Sequence, residues 1–196
     1  AGAMTIERPE IYFGEIDRTW VAVNTGVQEV SGIPGDTPPD PYSGEARGSI
    51  ALDNYLRRVM LAIYLGDRRI IFTDELQPES QVLLTRSVMD RISEITPFLR
   101  LDGDPYMTIV DGRLIWVLDA YTATDRYPYA TSYDGINYAR NTFKVTVDAY
   151  DGTVTYYRTE LPDPLADAYM DVFPTLFRPI SDAPQRLAEH FRYPEQ

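Results

Sequence analysis

The stretch PYMTIVDGRLIWVLDAYT, residues 105–122, decides the fold class. Apolar and polar residues alternate along it with a period of two, which is typical of a β-strand. The dipeptide Asp111-Gly112 interrupts this alternation, and such a dipeptide favours the tight turn of a β-hairpin. The stretch therefore predicts two antiparallel strands joined at this turn.

A second stretch, NTFKVTVDAYDGTVTYYRT at residues 141–159, repeats the pattern and turns at Asp151-Gly152. The tripeptide Asp-Ala-Tyr occurs in both stretches, at 119–121 and 148–150, so we interpret them as equivalent parts of one sheet. In the first strand of this stretch one set of residues should face the core and the other set should face solvent. The core set is Phe143, Val145, Val147 and Ala149, and the solvent set is Lys144, Thr146 and Asp148.

Helical periodicity marks the segments on either side of the hairpins. A helix is predicted from an N-cap at Ser49 to a stop at Gly66, and a second from Pro78 to about Thr96. The C-terminal segment 163–193 is predicted to be helical, with a cap at Asp163-Pro164 and a short last helix capped by Ser181 or Asp182. The buried stripe of the first helix should comprise Leu52, Leu56, Val59, Met60 and Ile63.

The remaining segments predict strands and a loop. Residues 11–25 indicate two short strands, and residues 68–73, RRIIFT, indicate a strand or an extended link. The segment 31–48 is rich in Pro, Gly and Asp, which predicts a mobile surface loop.

The order of these elements predicts an α+β fold. Its antiparallel sheet is built from two consecutive hairpins, with helices packed on one face. We expect a single domain over residues 5–196, because 196 residues suit one domain with a substantial core. Residues 1–4 look like a scar left by expression cloning.

Composition excludes several classes of function. A net charge of −12 and a pI of about 4.4 disfavour nucleic acid and close approach to an anionic lipid surface. The sequence has no cysteine and one histidine, His190, so cysteine nucleophiles and multi-histidine zinc sites are excluded. Asp102 and Asp104 could coordinate calcium, but an Asp-Gly turn explains them better. We therefore expect no cofactor, no metal site and no catalytic constellation.

The segment between the two hairpins is the candidate binding surface. Its tyrosines offer apolar area with a hydrogen-bonding tip, which suits recognition, and its arginines could fix a carboxylate or pair with neighbouring aspartates. The same tyrosines could instead pack the loop on the sheet. The candidate residues are Asp125, Arg126, Tyr127, Tyr129, Tyr133, Asn137, Tyr138 and Arg140.

The two hairpin stretches at 105–122 and 141–159 resemble uncharacterised protein family 0182. So do the string YTATDRYPY at 121–129 and the string FPTLF at 173–177. The upstream motifs YFGE, GDRRIIFTDELQPES and ITPFL fit the same family in the same order. The resemblance covers nearly the whole chain except residues 31–48. It implies a soluble part of a bacterial multi-spanning membrane protein, lying on the extracytoplasmic face of the cell membrane.

The resemblance carries no catalytic residues, so three hypotheses stay open. The first is a non-enzymatic extracytoplasmic domain that binds an envelope protein, a peptide or the rest of its own chain, and is attached to the membrane by transmembrane segments elsewhere. The second is a carboxylate-dependent hydrolase of cell-envelope polymer, which requires two acids that converge in a cleft. The third is an architectural spacer.

Overall fold

The computed structural model of the protein describes residues 6–7, 9–16, 19–29, 41–44 and 49–192. The chain divides into two compact units. Unit 1 comprises residues 1–16 and 87–196, and unit 2 comprises residues 17–86. The single domain over residues 5–196 stays a prediction. The scar at residues 1–4 and most of the loop at residues 31–48 lie outside the described residues.

Unit 2 is built on a small antiparallel sheet. Its described strands are β1 (Val21–Val23), β2 (Ser49–Ala51) and β3 (Gln81–Leu83), with β3 in the middle. Two helices follow β2, namely α1 (Tyr55–Leu65) and the single turn α2 (Arg69–Phe72). The buried core of the unit comprises Leu52, Leu61, Ala62, Ile70, Leu76 and Val82.

The first helix begins later than predicted and buries a different face. Asn54 rather than Ser49 caps it, since its side chain accepts a hydrogen bond from the Arg57 N–H at 2.8 Å. Ser49 instead lies in β2 and pairs with β3. Gly66 ends the helix at a φ of 68°, as predicted. Of the predicted buried stripe, Leu52 is buried just before the helix and Val59 is half-buried, whereas Leu56, Met60 and Ile63 are exposed.

Two further predictions in unit 2 are wrong. Residues 68–73 form the turn of α2 rather than a strand or an extended link. Residues 81–83 form the central strand β3 rather than the start of a helix, because a short apolar run has no periodicity that separates strand from helix. Of the two strands predicted in residues 11–25, the described residues contain β1 and, at Gly14, an isolated bridge.

Unit 1 contains the two predicted hairpins. The first joins β5 (Tyr106–Val110) to β6 (Arg113–Thr124), and the second joins β7 (Tyr138–Asp148) to β8 (Val154–Arg158). The turn residues Asp111 and Gly112 have φ values of 49° and 79°, as the hairpin signal requires. Strands β6 and β7 lie side by side and antiparallel.

Shorter elements complete the sheet of unit 1. β4 (Arg100–Leu101) pairs with β6, and β9 (Phe177–Pro179) pairs in parallel with β8. The sheet order among the described residues is β4-β6-β7-β8-β9, with β5 also paired to β6. The α+β class is therefore confirmed.

Helices cover both faces of this sheet, which corrects the prediction of helices on one face. Helix α3 (Val88–Ile95) lies against one face, where the Thr96 hydroxyl that follows it hydrogen-bonds the Tyr156 hydroxyl at 3.2 Å. Helix α5 (Gln185–Ala188) lies on the other, where Leu187 packs with Val117 and Tyr157. The chain passes the sheet edge at β9, and the residues that follow cover the second face.

This second layer explains why both sides of β7 are buried from Thr142 onward. Phe143, Val145 and Val147 are buried as predicted, but Lys144, Thr146 and Asp148 are buried as well. The prediction of one solvent-facing side is therefore wrong for this strand.

The predicted helices at the ends of unit 1 are partly confirmed. Helix α3 ends at Ile95, near Thr96 as expected, but begins at Val88 with Ser87 as its cap. Helix α4 (Pro164–Val172) has the predicted cap at Asp163. A 3₁₀ turn at Ile180–Asp182 precedes α5, whose N-cap is Pro184 rather than Ser181 or Asp182.

The N-terminal residues belong to unit 1 through hydrogen bonds to distant strands. The N–H groups of Tyr12 and Phe13 donate to the carbonyl of Ala149 at 2.9 Å, and the Trp116 indole donates to the carbonyl of Phe13 at 3.0 Å. Gly14 bridges to Ser87, and the Val88 N–H donates to the Gly14 carbonyl at 2.9 Å.

Candidate functional site

The candidate residues lie on the loop 125–137 between β6 and β7 and on the first residues of β7. The two strands bring the loop ends together, since the Asn137 N–H donates to the Thr124 carbonyl at 2.9 Å. The loop therefore projects from the end of the long antiparallel pair β6 and β7, and its two ends are adjacent.

The side chain of Asn137 fixes the loop from inside. Its carbonyl accepts from the Tyr127 N–H at 2.9 Å, and its amide donates to the carbonyl of Tyr127 at 2.8 Å and to that of Ala130 at 3.3 Å. One side chain thus satisfies three backbone groups of the facing segment, which gives Asn137 a positioning role within the loop.

A small turn fixes the other half of the loop. Tyr133 and Ile136 exchange backbone hydrogen bonds of 2.7 and 3.1 Å across Asp134 and Gly135, whose φ values are 49° and 75°. This Asp-Gly pair is the same hairpin signal as the two in the sheet. The signal is present in the sequence at Asp134-Gly135, although we predicted no turn at this position.

Three of the candidate tyrosines are exposed to solvent to different extents. Tyr129 is fully exposed and has a φ of 62°, while Tyr133 is 85% exposed. Tyr127 is 42% exposed and stacks on Tyr138, with ring centroids 4.7 Å apart and an interplanar angle of 15°. The backbone that carries the two exposed rings is thus fixed by the hydrogen bonds of Asn137 and by the stacking of Tyr127 on Tyr138.

The two candidate arginines differ in their contacts. Arg126 is exposed and lies 3.7 Å from the carboxylate of its neighbour Asp125, which is also exposed. Arg140 donates to the Pro162 carbonyl at 2.8 Å and lies 5.9 Å from the Tyr138 ring centroid. Arg140 and Tyr138 therefore contact their own fold, whereas Arg126 faces solvent.

The base of the loop rests on a buried carboxylate that the sequence analysis treated only as a helix cap. Asp163 is 1% exposed and accepts from the Tyr138 hydroxyl at 2.8 Å, the Thr142 hydroxyl at 2.6 Å and the Thr122 hydroxyl. It also accepts from the Leu165 N–H at 3.0 Å as the cap of α4. The tertiary partners come from strand positions that no local pattern connects to Asp163.

These contacts shift the protonation of both partners. Burial alone would raise the pKa of Asp163, but the hydrogen bonds from Thr122, Thr142, Tyr138 and the Leu165 N–H bring it below its usual value. Burial, together with the hydrogen bond to this carboxylate, raises the pKa of Tyr138 to about 12. The pair is therefore a carboxylate and a neutral phenol at neutral pH.

A second buried carboxylate, Asp119, lies farther along β6. The Lys144 ammonium pairs with it, both side chains are buried, and the Asn141 amide donates to it at 2.7 Å. The same ammonium donates to the Arg192 carbonyl at 2.6 Å. The ion pair thus holds the C-terminal segment against β7.

Neither the loop nor these carboxylates form a metal centre. Across the described ranges, no group of three or more His, Asp or Glu side chains could hold a metal ion.

A sequence profile of the uncharacterised protein family UPF0182 matches residues 1–196. The chain belongs to this family. UPF0182 proteins from Clostridium perfringens and Pelotomaculum thermopropionicum are each 41% identical to it, over 98% and 97% of the chain. A UPF0182 protein from Desulforamulus reducens is also 41% identical, over 97% of the chain.

The chain spans about a fifth of the length of these UPF0182 relatives, 21% in each case. No solved structure matches the chain. Within the described residues, each helix falls short of the length and apolarity needed to cross a bilayer.

Proposed function

We propose that this UPF0182 chain is a non-enzymatic binding domain that presents the loop 125–137 to a protein or peptide partner. The observation that carries this proposal is the exposure of Tyr129 and Tyr133 on a loop whose backbone Asn137 fixes from inside. Exposed aromatic rings on a rigid backbone bind at low entropic cost, because little freedom is lost when the partner arrives.

The charges of the loop and of the chain indicate which kind of partner surface fits. Arg126 supplies an exposed cation on the same loop as the two rings, in a chain whose net charge is −12. A partner surface with an apolar centre and a carboxylate within reach of Arg126 would match this arrangement. An envelope protein, a peptide or another segment of the full-length protein could supply it.

We further propose that the domain lies on the extracytoplasmic face of the bacterial cell membrane, attached through transmembrane segments elsewhere in the full-length protein. The support for this location is the resemblance of the motifs described above. The unchanged full-length protein gives the background labelling, and because this chain has no cysteine, Glu160→Cys adds one exposed thiol to it. In intact cells a membrane-impermeant maleimide should label it, and labelling only after lysis would contradict the location.

The three buried carboxylates of the described residues do not favour the alternative of a hydrolase. Asp163 has a lowered pKa and hydrogen-bond donors on both oxygens, so it stays ionised and cannot serve as a general acid near neutral pH. Asp119 is buried and paired with Lys144. Asp148 pairs with the Arg113 guanidinium at 2.7 Å. We therefore favour binding over catalysis.

The test compares partner capture by the wild-type chain and the double variant Tyr129→Ala/Tyr133→Ala. We expect the double variant to lose affinity for the captured partner by at least about thirtyfold, since truncation of one hot-spot tyrosine alone costs about 2 kcal/mol. Val172→Ala is the matched control, because it removes an exposed apolar side chain from α4. Capture of the same partner with unchanged affinity by the double variant would contradict the proposal.

A third variant, Asn137→Ala, distinguishes the contribution of the exposed rings to binding from that of the fixed loop backbone. It keeps both tyrosines but removes the three hydrogen bonds that fix the backbone around Tyr127 and Ala130. We expect weaker binding than wild type, together with faster amide exchange in residues 125–137. Faster exchange with unchanged affinity would show that rigidity of the loop is not used in binding.

A further inference from the structure

Helix α1 is apolar on two opposite sides. Leu61 and Ala62 on its inner side belong to the core of unit 2. Five large side chains occupy the outer side at helical spacing and are between 61% and 77% exposed; they are Tyr55, Leu56, Met60, Ile63 and Tyr64. We call these five residues the α1 patch. Isolated exposed apolar residues are ordinary on proteins, but a contiguous group of this kind marks an interaction surface.

The described residues of unit 2 do not explain the α1 patch. The core of this unit is closed by the inner side of α1 together with Leu52, Ile70, Leu76 and Val82. A helix that is apolar nearly all round is normally covered on all sides. The outer side therefore needs a second layer.

The size of the α1 patch fits one half of a stable protein interface. Large apolar side chains each offer roughly 100–200 Å² when exposed, so the five together offer on the order of 600 Å². A standard interface buries about 800 Å² on each partner. Val59, which lies between these residues on the helix and is half-buried, adds to this area.

The charges around the α1 patch allow a second, antiparallel copy, because each end of the helix carries both signs. The N-terminal end of α1 carries Asp53 and Arg57, and its C-terminal end is followed by Asp67, Arg68 and Arg69. An antiparallel pair of α1 helices brings the first group of one copy next to the second group of the other. Each aspartate then has an arginine of the partner within reach, and the helix dipoles oppose each other.

The same charges disfavour a lipid surface as the occupant. Over residues 53–75 four arginines are balanced by four acids, Asp53, Asp67, Asp74 and Glu75, so the segment has no net charge. With −12 on the whole chain, nothing attracts the α1 patch to anionic headgroups.

We propose that the α1 patch is the interface of a symmetric dimer in which the α1 helices of two chains pack antiparallel. In such an isologous contact a residue near the centre of α1 meets its own copy, whereas residues at the two ends meet each other. Met60 lies near the centre, and Leu56 and Ile63, seven positions apart on the same side of the helix, lie towards the two ends.

Self-association is measured first, by sedimentation equilibrium of the wild-type chain and of Ile63→Glu. We expect a dimer with a dissociation constant in about the micromolar range, and at least a tenfold weaker dimer for the variant. The side chain of Ile63 is exposed, so the far-UV circular dichroism should not change. Val172→Glu is the matched control, since it places the same charge at an exposed apolar site on α4 and should leave the dimer intact.

Disulfide crosslinking then tests the orientation, because the wild-type chain has no cysteine. We expect Met60→Cys to crosslink with itself under mild oxidation. Leu56→Cys and Ile63→Cys should crosslink when mixed but not separately. Self-crosslinking of both end variants, without a mixed product, would indicate parallel helices and overturn the proposed arrangement.

Other occupants of the α1 patch are outcomes that overturn the proposal. A chain that stays monomeric up to about 100 µM, a hundred times the expected constant, has no such dimer. A monomer that floats with vesicles of phosphatidylcholine and phosphatidylglycerol would show a lipid contact. A monomer whose Met60→Cys thiol is protected only in the full-length protein would show an intramolecular contact.

Discussion

At the scale of single residues, Asp163 connects the loop, the sheet and helix α4 through one carboxylate. Its oxygens accept from three hydroxyl groups and from one backbone N–H, all within the buried base of the loop. Hydrogen bonds to a buried carboxylate are among the stronger contacts in a protein, provided that the group stays ionised.

We predict that Asp163→Asn lowers the free energy of unfolding by about 2 kcal/mol at neutral pH, since charge-assisted hydrogen bonds are lost. The pKa of Asp163 is lower in the folded chain than the value of about 3.9 expected in the unfolded chain. The stability that the carboxylate contributes is therefore complete above about pH 5 and is lost as the pH falls through its folded pKa. Urea denaturation between pH 7 and pH 3 measures the difference.

Asp171→Asn is the control for this prediction, because Asp171 is exposed on the same helix. It should change the free energy of unfolding by less than about 0.5 kcal/mol. A difference between wild type and Asp163→Asn that stays constant down to pH 3 would contradict the assigned protonation.

Two glycines with similar backbones provide a second prediction. Gly152 and Gly135 have φ values of 69° and 75°, so alanine is strained at either position. A Cβ at Gly152 would lie 2.6 Å from Cζ of the buried Phe13, whereas at Gly135 it would meet nothing within 4 Å. We expect Gly152→Ala to cost about 3 kcal/mol of unfolding free energy and Gly135→Ala about 1 kcal/mol.

Urea denaturation of both glycine variants gives these costs directly. Equal losses would mean that Phe13 moves aside freely and that backbone strain alone sets the cost.

The sequence could predict the local part of Asp163 but not its tertiary part. The cap was evident from Asp163-Pro164, because a cap and its helix are adjacent in the chain. Thr122, Tyr138 and Thr142 lie 21 to 41 residues away and meet Asp163 only when β6, β7 and α4 pack together.

At the scale of elements, the hairpins were predictable and several helices were not. Asp-Gly turns and a period of two are local signals, and they gave β5 to β8. The apolar spacing of α1 did predict a helix, but it did not show which side is buried, because both sides are apolar.

The ion pair between Asp119 and Lys144 provides a prediction for β6 and β7. Lys144→Met leaves a buried carboxylate without its cation, which should cost about 3 kcal/mol of unfolding free energy. Adding Asp119→Leu removes the unpaired charge and should recover most of this loss. Thermal and urea denaturation of the two variants measure both steps.

The exposed pair of Asp111 and Arg186, with its N–O distance of 2.6 Å, is the comparison for this prediction. Arg186→Met should cost less than about 1 kcal/mol, since solvent screens that pair. A cost for Lys144→Met as small as that for Arg186→Met would show that solvent reaches Asp119.

At the scale of the whole molecule, unit 2 is an insertion in unit 1. Gly14 and Val88, joined by a hydrogen bond of 2.9 Å, flank residues 17–86. No signal in the sequence predicts this division, because the contacts that close unit 1 around the insertion join residues about a hundred positions apart.

We predict that replacing residues 17–86 by a short Gly-Ser linker leaves unit 1 folded. The shorter connection favours folding of unit 1 by about 1–2 kcal/mol of closure entropy. Circular dichroism and cooperative urea unfolding of the shortened chain measure the outcome, and a chain without a cooperative transition would contradict it. The shortened chain should also be monomeric, because the α1 patch is removed.

The N-terminal hydrogen bonds also set an order of events during synthesis. Tyr12 and Phe13 leave the ribosome long before Ala149, whose carbonyl accepts from both of them. At a synthesis rate of about 10 residues per second, the delay exceeds ten seconds. All residues of unit 2 are synthesised within this interval, so unit 2 can fold while the hydrogen bonds of Tyr12 and Phe13 to Ala149 are still to be made.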